Sequence, residues 1–93
     1  MIRSFRCKET QRIFNLERSQ RFPDHIQQVA LRKLKMLHHA VSVNDLRVPP
    51  ANRLEKLRGE RASQWSIRVN DQWRICFQWI DGHSFNVEIV DYH

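Results

Sequence analysis

Apolar residues recur at helical spacing between residues 24 and 41. The stripe contains Ile26, Val29, Ala30, Leu34, Leu37 and Val41, whereas Arg32, Lys33 and Lys35 lie off it. Spacings of three and four residues place side chains on one face of an α-helix. The preceding Phe22-Pro23-Asp24 is typical of a helix start, and Asp24 and Gln27 are spaced like a capping box. The pattern predicts an amphipathic helix over residues 24–41 that covers a sheet.

Apolar and polar residues alternate in the second half of the chain, a pattern typical of half-buried strands. Three strand faces are predicted: Trp65, Ile67 and Val69; Trp73, Ile75, Phe77 and Trp79; and Phe85, Val87 and Ile89. Weaker patterns predict a strand from Met1 to Phe5, a helix from Lys8 to Leu16 and a turn around Val43 to Leu46. Together they predict an α+β fold, a single domain over residues 1–93 in which a helix covers an antiparallel meander.

The register follows from the requirement that apolar residues face apolar residues, because a one-residue slip would turn a whole face to water. The first hairpin then pairs residue 69 with 73, 67 with 75 and 65 with 77. The second pairs 79 with 85, 77 with 87 and 75 with 89, and both loops have three residues. This register sets Arg68 opposite Arg74 on the polar face. It also brings residues 91–93 alongside Trp73 and Gln72.

Charge adds a class of partner to this picture. The 16 Lys and Arg residues against 10 Asp and Glu give a formal net charge of +6. A small basic domain attracts polyanions, which favours nucleic acid as a partner, although solubility alone is the alternative. No segment approaches the ~20 apolar residues of a membrane span, and no signal peptide is visible, so a cytoplasmic protein is predicted.

The metal-binding side chains show no recognisable site. Cys7 and Cys76 form no CxxC motif, and we expect both to be reduced. No histidine has a partner at the spacing of a zinc site. The sequence therefore predicts neither a metal nor another cofactor.

The opposed arginines, Arg68 and Arg74, are the first candidate for chemistry. Like charges directly opposite in a sheet repel each other by up to ~1 kcal/mol, and nothing in the local sequence obviously neutralises them. An anionic ligand would, and guanidinium suits phosphate oxygens well. The alternative is a solvated polar face, with one arginine leaning on Glu88 or on a helix.

The segment from Arg53 to Arg61 precedes the first hairpin and is rich in charge. Leu54 and Leu57 are predicted to be buried, so that the charged side chains face outward. One interpretation is a solvated edge strand, in which lysine discourages aggregation. The other is a cationic rim beside the opposed arginines.

Asp91-Tyr92-His93 is the third candidate, because all three side chains can take part in acid–base chemistry. Histidine titrates near neutral pH, and the register sets this segment beside Arg74. A frayed tail is the ordinary expectation for such a segment. The residues themselves do not decide between a tail and a site.

Two separated motifs resemble those of a known family. Gln64-Trp65-Ser66-Ile67-Arg68-Val69-Asn70-Asp71-Gln72-Trp73-Arg74-Ile75-Cys76-Phe77 resembles the core of the HigB branch of RelE-type toxins. Asp91-Tyr92-His93 resembles that branch's D-Y-H ending, and Met1 to Phe5 and Leu57 to Arg61 also match. The resemblance spans essentially the whole chain. It implies a RelE-like fold, with two N-terminal helices packed on a twisted, mainly antiparallel sheet.

The resemblance also implies a function. Such toxins cleave messenger RNA in the ribosomal A site, where the ribose 2′-OH attacks the adjacent phosphate. No metal is needed if protein groups move the protons and neutralise the charge. The catalytic residues implied are Arg74, Asp91, Tyr92, His93 and Glu55. The RNA-binding residues implied are Arg53, Lys56, Arg58, Arg61 and Arg68.

The implied roles differ from residue to residue. Arg74 would stabilise the phosphorane, His93 would be the acid or base, and Tyr92 would orient or stack on a base. Some HigB toxins carry a histidine where this chain has Glu55. A carboxylate could act as a base there, although its ordinary pKa of ~4.3 lies well below neutrality. Glu55 could instead be structural.

The partners implied are a helix-turn-helix antitoxin, the 70S ribosome and mRNA, with no membrane. Operator DNA would be bound through the antitoxin. Two other functions remain open on the sequence. One is a basic RNA- or ribosome-binding module without catalysis. The other is a purely protein-binding chain whose basic face is covered by an acidic antitoxin.

Overall fold

A computed structural model describes residues 1–91, so that Tyr92 and His93 lie outside the described residues. The helices are α1 (Lys8–Phe14) and α2 (Asp24–His39), and short 3-10 turns span Val43–Arg47, Pro50–Asn52 and Gly59–Arg61. The strands are β1 (Glu55–Lys56), β2 (Gln64–Arg68), β3 (Trp73–Ile80) and β4 (His83–Asp91). All neighbouring strands are antiparallel, in the order β1-β2-β3-β4. The α+β, RelE-like fold is confirmed.

The helices cover one face of the sheet. Both α1 and α2 contact β4, and they also pack against each other. Ile67, Ile75, Phe77 and Val87 from the strands are completely buried in the core that this packing forms. Within residues 1–91, no helix is both long and apolar enough to cross a membrane.

Helix α2 confirms most of the predicted apolar stripe but ends earlier than predicted. Ile26, Ala30, Leu34 and Leu37 are buried. Val41, which we expected on the stripe, lies beyond the helix end at His39 and is 82% exposed. The cause is local, because Ser42 and Asp45 form a capping box that starts the next turn. The Asp45 carboxylate also accepts the Val41 N–H at 2.9 Å.

The predicted capping box at the start of α2 is wrong. Pro23 is the N-cap, and no side chain caps the helix. Asp24 instead forms an ion pair with Arg18, with 2.8 Å between Oδ2 and Nη2. Gln27 donates to the Ser19 carbonyl at 2.7 Å and accepts from the Ser19 N–H at 3.0 Å. The Gln27 amide therefore satisfies the backbone of the preceding loop rather than the helix end.

Lys33 is a second departure from the pattern. We expected it off the stripe, yet its exposed fraction is only 6% and its ammonium group donates to Asn52 Oδ1. The aliphatic part of a lysine can pack on apolar surface, and burial of the charged end requires a hydrogen-bond partner. Hydrophobic spacing could not reveal a partner 19 residues away.

The predicted register of the first hairpin is confirmed. The Val69 N–H donates to the Trp73 carbonyl at 2.9 Å, which leaves three residues in the loop. The pairs of the ladder include Trp65 with Phe77, Ile67 with Ile75, and Arg68 with Arg74. The two arginines of interest therefore lie directly opposite each other.

The second hairpin is only partly as predicted. Ile75 faces Ile89, as expected, but the register shifts between Cys76 and Gln78. Beyond the shift, Phe85 faces Gln78 rather than Trp79, so the predicted pairing of 79 with 85 is wrong. The predicted partners 77 and 87 lie at the shift itself. Because facing residues share a side of the sheet, Phe85 does not lie on the predicted apolar face.

The tight turn explains this shift. Ile80 faces His83, so the loop is Asp81-Gly82, two residues rather than the predicted three. Both have positive φ angles, 51° and 79°, as in the turn type that suits a two-residue hairpin. The extra residue is accommodated in β4 near Asn86, whose φ is 54° and whose N–H donates to the Ser4 hydroxyl at 2.8 Å.

The N-terminal segment lies along the outer edge of β4. Ile2 bridges Ser84 and Phe5 bridges Val87, both in parallel orientation, where we expected a regular strand. Ile2 and Phe5 are half-buried against the core. Helix α1 is shorter than predicted, because Leu16 has a left-handed φ of 66° and is 73% exposed.

His38 connects α2 to this N-terminal segment. Its Nδ1 accepts the Ile2 N–H at 3.1 Å, and its ring packs on Phe14 with 5.2 Å between centroids. Burial, followed by the nearby His39 and N-terminal ammonium charges, lowers the pKa of His38 below 6.5. The folded chain therefore binds this proton less readily than the unfolded chain.

We expect acidification below pH 6.5 to destabilise the protein through His38. Between the folded and the unfolded pKa, the unfolded chain binds more protons, so stability falls as the pH falls. Urea unfolding of wild type and His38→Gln at pH 7.5 and 5.0 measures this, and exposed His25→Gln is the control. The His38 variant should lose less stability on acidification than the control. Equal losses would contradict the assignment.

Candidate functional site

The polar face of the sheet, opposite the helices, carries the candidate site. Glu55 in β1 faces Ser66 in β2, and Arg68 faces Arg74 across the first hairpin. A shallow depression of about 220 Å³ opens here. It is lined by Arg53, Arg68, Asn70, Asp71 and Arg74.

Arg74 is fixed by its neighbours. Its exposed fraction is 8%, and its Nε donates to the Ser66 hydroxyl at 2.8 Å. Its Nη2 donates to the Arg53 carbonyl at 2.7 Å and lies 3.8 Å from the Glu55 carboxylate. A buried guanidinium held from two directions presents its charge in one orientation, which is what preorganised stabilisation of an anion requires.

Arg68 has a partner that the sequence analysis did not foresee. Its Nη2 lies 2.6 Å from Asp71 Oδ1, three residues along the hairpin loop. The hydrogen bond from Arg68, followed by its charge, lowers the pKa of Asp71. The expectation that nothing neutralises the opposed arginines is therefore wrong. Because the Asp71 side chain is fully exposed, the ion pair is weak, and a phosphate group can compete for Arg68.

Arg53 closes the depression from a neighbouring turn. It follows the Pro50–Asn52 turn in a left-handed conformation with φ of 45° and ψ of 56°. In this conformation the Arg53 carbonyl accepts a hydrogen bond from Arg74. The lining holds three guanidinium groups and the Asp71 carboxylate, and the Glu55 carboxylate lies beside Arg74, so the depression keeps a net positive charge.

Lys56 does not lie at this depression. Glu55 faces Ser66 and Lys56 faces Trp65, so the pleat sends their side chains to opposite faces. The Lys56 ammonium lies over the Trp65 ring, 5.0 Å from its centroid, and Trp65 packs against the core. The structure therefore separates Lys56 from the residues that line the depression.

Arg58 precedes the Gly59–Arg61 turn and Arg61 ends it. Neither side chain lines the depression. Arg58 is exposed at the start of this turn. Arg61 donates to the Gln64 side chain at 2.9 Å and lies 3.8 Å from the Glu88 carboxylate. Glu88, which we considered as a partner for one of the opposed arginines, also forms an ion pair with Arg6 at 3.4 Å.

Asp91 lies where the register predicted. It faces Trp73, and its carboxylate accepts from the Gln72 side chain at 3.1 Å. The preceding residue, Val90, faces Arg74. The predicted site residues Tyr92 and His93 lie outside the described residues, so the structure describes only the start of this segment.

Sequence reasoning missed two residues that shape the site. Ser66 is completely buried and holds Arg74, but a serine on the polar face carried no distinctive signal. Asn70 accepts the backbone N–H groups of Gln72 and Trp73 at 2.9 and 2.8 Å. Such a turn is typical of asparagine, so the Asn70-Asp71 pair was a usable signal for the shape of the loop.

Cys76 does not have the environment of a reactive thiol. Cys7 and Cys76 are free thiols, and burial raises the pKa of Cys76 to about 11. The Cys76 thiol is therefore protonated at neutral pH and is a poor nucleophile. Among residues 1–91, no three His, Cys, Asp or Glu side chains are grouped so that they could hold a metal ion.

Comparison with known proteins places this chain in a family. Residues 3–93 match the family described as "RelE-like toxin of type II toxin-antitoxin system HigB". The chain is 39% identical over 87 residues to Toxin HigB-1 of Vibrio cholerae, with 92% of each chain covered. It is 30% identical over 93 residues to Endoribonuclease HigB of Proteus vulgaris, with both chains fully covered. The chain belongs to the HigB family of RelE-like toxins of type II toxin–antitoxin systems.

Proposed function

We propose that this toxin is a ribosome-dependent endoribonuclease that cleaves messenger RNA and so inhibits translation. The observation that carries the proposal is Arg74, a buried guanidinium held by Ser66 and by the Arg53 carbonyl in a positive depression. The relative from Proteus vulgaris is named an endoribonuclease, which supports the same chemistry.

The proposed reaction is an intramolecular transesterification at one phosphate of the RNA. The ribose 2′-oxygen bonds to the adjacent phosphorus, and the bond from phosphorus to the 5′-oxygen breaks. The products are a 2′,3′-cyclic phosphate and a free 5′-hydroxyl. In the transition state, negative charge builds up on the non-bridging phosphate oxygens, and Arg74 stabilises this charge. Protein groups supply the proton transfers, so the proposed reaction is metal-independent.

Two protons must move in this reaction. We assign removal of the 2′-OH proton to Glu55, whose carboxylate lies 3.8 Å from Arg74 at the edge of the depression. His93 then donates a proton to the leaving 5′-oxygen, Tyr92 orients the base beside the scissile bond, and Asp91 supports this segment. The assignments of Asp91, Tyr92 and His93 rest on the family motif.

The remaining basic side chains bind the RNA backbone, some beside the scissile phosphate and others further from it. Arg53 and Arg68 line the depression and contact the phosphates next to the scissile one. Arg58 and Arg61 extend the basic surface beside it. Lys56, on the other face of β1, binds RNA only outside the site. Phosphate contacts of this kind weaken as salt rises.

Membership of the family implies a cognate antitoxin. We propose that it is a helix-turn-helix protein and that the complex binds operator DNA through it. The proposed target is the 70S ribosome with its mRNA, and the proposed site of action is therefore the cytoplasm. We also propose that residues 1–93 form a single domain.

Purified protein mixed with translating ribosomes and a defined message tests this function. Metal-independent cleavage within the A-site codon, with no cleavage of the free message, is expected. Ribosome binding without cleavage would favour a non-catalytic RNA- or ribosome-binding module. Lack of ribosome affinity at every salt concentration would favour a purely protein-binding role.

Glu55→Gln tests the assignment of the base. The amide keeps the size of the side chain but cannot accept the 2′-OH proton, so we expect cleavage to fall about 100-fold. Glu55→His restores a base and should recover most of the rate. Exposed Glu60→Gln is the control. A Glu55→Gln rate within threefold of the control would remove Glu55 from the chemistry and leave it as the structural partner of Arg74.

A further inference from the structure

Lys33 is an unusual residue for the core of this fold. Its exposed fraction is 6%, and it lies on α2 among Ala30, Leu34 and Leu37. Its ammonium group donates to an amide oxygen, Asn52 Oδ1, rather than to a carboxylate. A methionine would fill the same space without removing a charge from water. The packing of the core therefore does not by itself explain a lysine here.

Asn52 is completely buried and joins Lys33 to the segment before β1. While its Oδ1 accepts from Lys33, its Nδ2 donates to the carbonyls of Leu46 and Val48, at 3.1 and 3.4 Å. These three bonds tie the Pro50–Asn52 turn to the preceding turn and to α2. The backbone at Asn52 is consequently held from several sides.

The residue after Asn52 is Arg53, whose carbonyl accepts from Arg74 Nη2 at 2.7 Å. The left-handed backbone of Arg53 is a conformation in which a side chain of this kind is rarely found. It persists where the surrounding structure holds it. The Arg53 N–H donates to the Pro50 carbonyl at 3.0 Å. The bonds of Lys33 and Asn52 hold the preceding turn, and Arg74 binds the Arg53 carbonyl from the other side.

We propose that Lys33 is a positioning residue of the phosphate site. Through Asn52 it fixes the backbone of Arg53, whose carbonyl orients Arg74. Arg74 is the residue that would contact the scissile phosphate, and Lys33 acts on it across two intermediaries. The catalytic consequence of this inference rests on the proposed ribonuclease function, whereas the effect on the orientation of Arg74 does not.

The electrostatic surroundings of Lys33 agree with a role beyond packing. Burial, followed by the charges of Arg32 and Arg68, lowers the pKa of Lys33. Arg68, which makes the smallest of these contributions, also lines the depression. The fold therefore accepts an unfavourable charge at a position that supports the site.

Lys33→Met, in the full chain, tests the proposal. The variant keeps most of the stem but cannot donate to Asn52. The control is Lys35→Met, an exposed lysine on the same helix. The first readout is hydrogen exchange at Arg74 Nε–H, measured by NMR, because this proton is held by Ser66. We expect exchange to be about tenfold faster in Lys33→Met and unchanged in the control.

The second readout is single-turnover cleavage of ribosome-bound message. Misplacement of a catalytic group lowers the rate constant of the bound complex, and displacements of ~1 Å can cost up to ~100-fold. We expect about a tenfold lower rate constant at saturation, with a half-saturating concentration within twofold of wild type. Loss of folded protein alone would instead lower the fraction of active molecules.

The outcomes separate this inference from the proposed function. Wild-type protein that fails to cleave would contradict the function, while Arg74 Nε–H exchange would still decide the role of Lys33. Exchange equal to that of Lys35→Met would overturn the inference, whatever the cleavage rate. A normal cleavage rate with faster exchange would overturn its catalytic part. If Lys33→Met does not fold, Lys33→Leu, which also lacks a donor, takes its place with the same comparisons.

Discussion

Arg74→Lys is expected to lower ribosome-dependent cleavage by about 100- to 1,000-fold. Lysine keeps the positive charge, but its ammonium lacks the planar fork with which the guanidinium donates to Ser66 and to the Arg53 carbonyl in fixed directions. Single-turnover kinetics on ribosomes loaded with a defined message measure the rate. Because Arg74 acts on charge that develops during the reaction, ribosome affinity should change by less than about threefold.

The matched control is Arg47→Lys, which makes the same substitution on the exposed 3-10 turn Val43–Arg47. It should cleave at the wild-type rate. An Arg74→Lys rate within threefold of this control would exclude Arg74 from stabilising the transition state. A parallel loss of ribosome affinity and rate would instead assign Arg74 to RNA binding.

Deletion of Tyr92 and His93 is expected to reduce cleavage by about 100-fold or more, since positioned acids and bases contribute factors of this size. Ribosome binding, which depends on the basic surface, should survive the deletion. The comparison separates the ribonuclease from a binding module, because a module would lose nothing when these residues are removed. Filter binding and primer extension on the same ribosomes measure both quantities.

His93→Gln refines this second test without shortening the chain. If His93 donates the proton to the leaving oxygen, the wild-type rate should fall as the pH rises through the histidine range near ~6.5, and the variant should lose that limb of the profile. His25→Gln, an exposed histidine at the start of α2, is the control. A profile unchanged by His93→Gln would assign proton donation elsewhere.

The sequence predicted the parts of the fold that depend on one local pattern. The register of β2 and β3 followed from apolar pairing alone, and it set Arg68 opposite Arg74 correctly. The register of β3 and β4 followed only at the end that contains Ile75 and Ile89, because beyond it the Asp81-Gly82 turn and the contact between Asn86 and Ser4 decide the pairing. Ser4 is 82 residues away, beyond the reach of periodicity.

The candidate site shows the same division. That Arg74 lies on the polar face was predictable from alternation along the strand. That it is buried and held by the Arg53 carbonyl depends on how the Pro50–Asn52 turn folds back, which no spacing encodes. Lys33 was placed outside the core for the same reason, since its partner Asn52 lies on a different element.

The N-terminal segment beside β4 has a consequence for the folding of this toxin. Ile2 and Phe5 join Ser84 and Val87, each pair 82 residues apart in the chain. Contacts between residues so far apart in the chain form late, because the loop between them must close first. The Arg68–Arg74 pairing joins residues that are close in sequence and should form early in folding, whereas the bridges of Ile2 and Phe5 should complete the outer edge of β4 last.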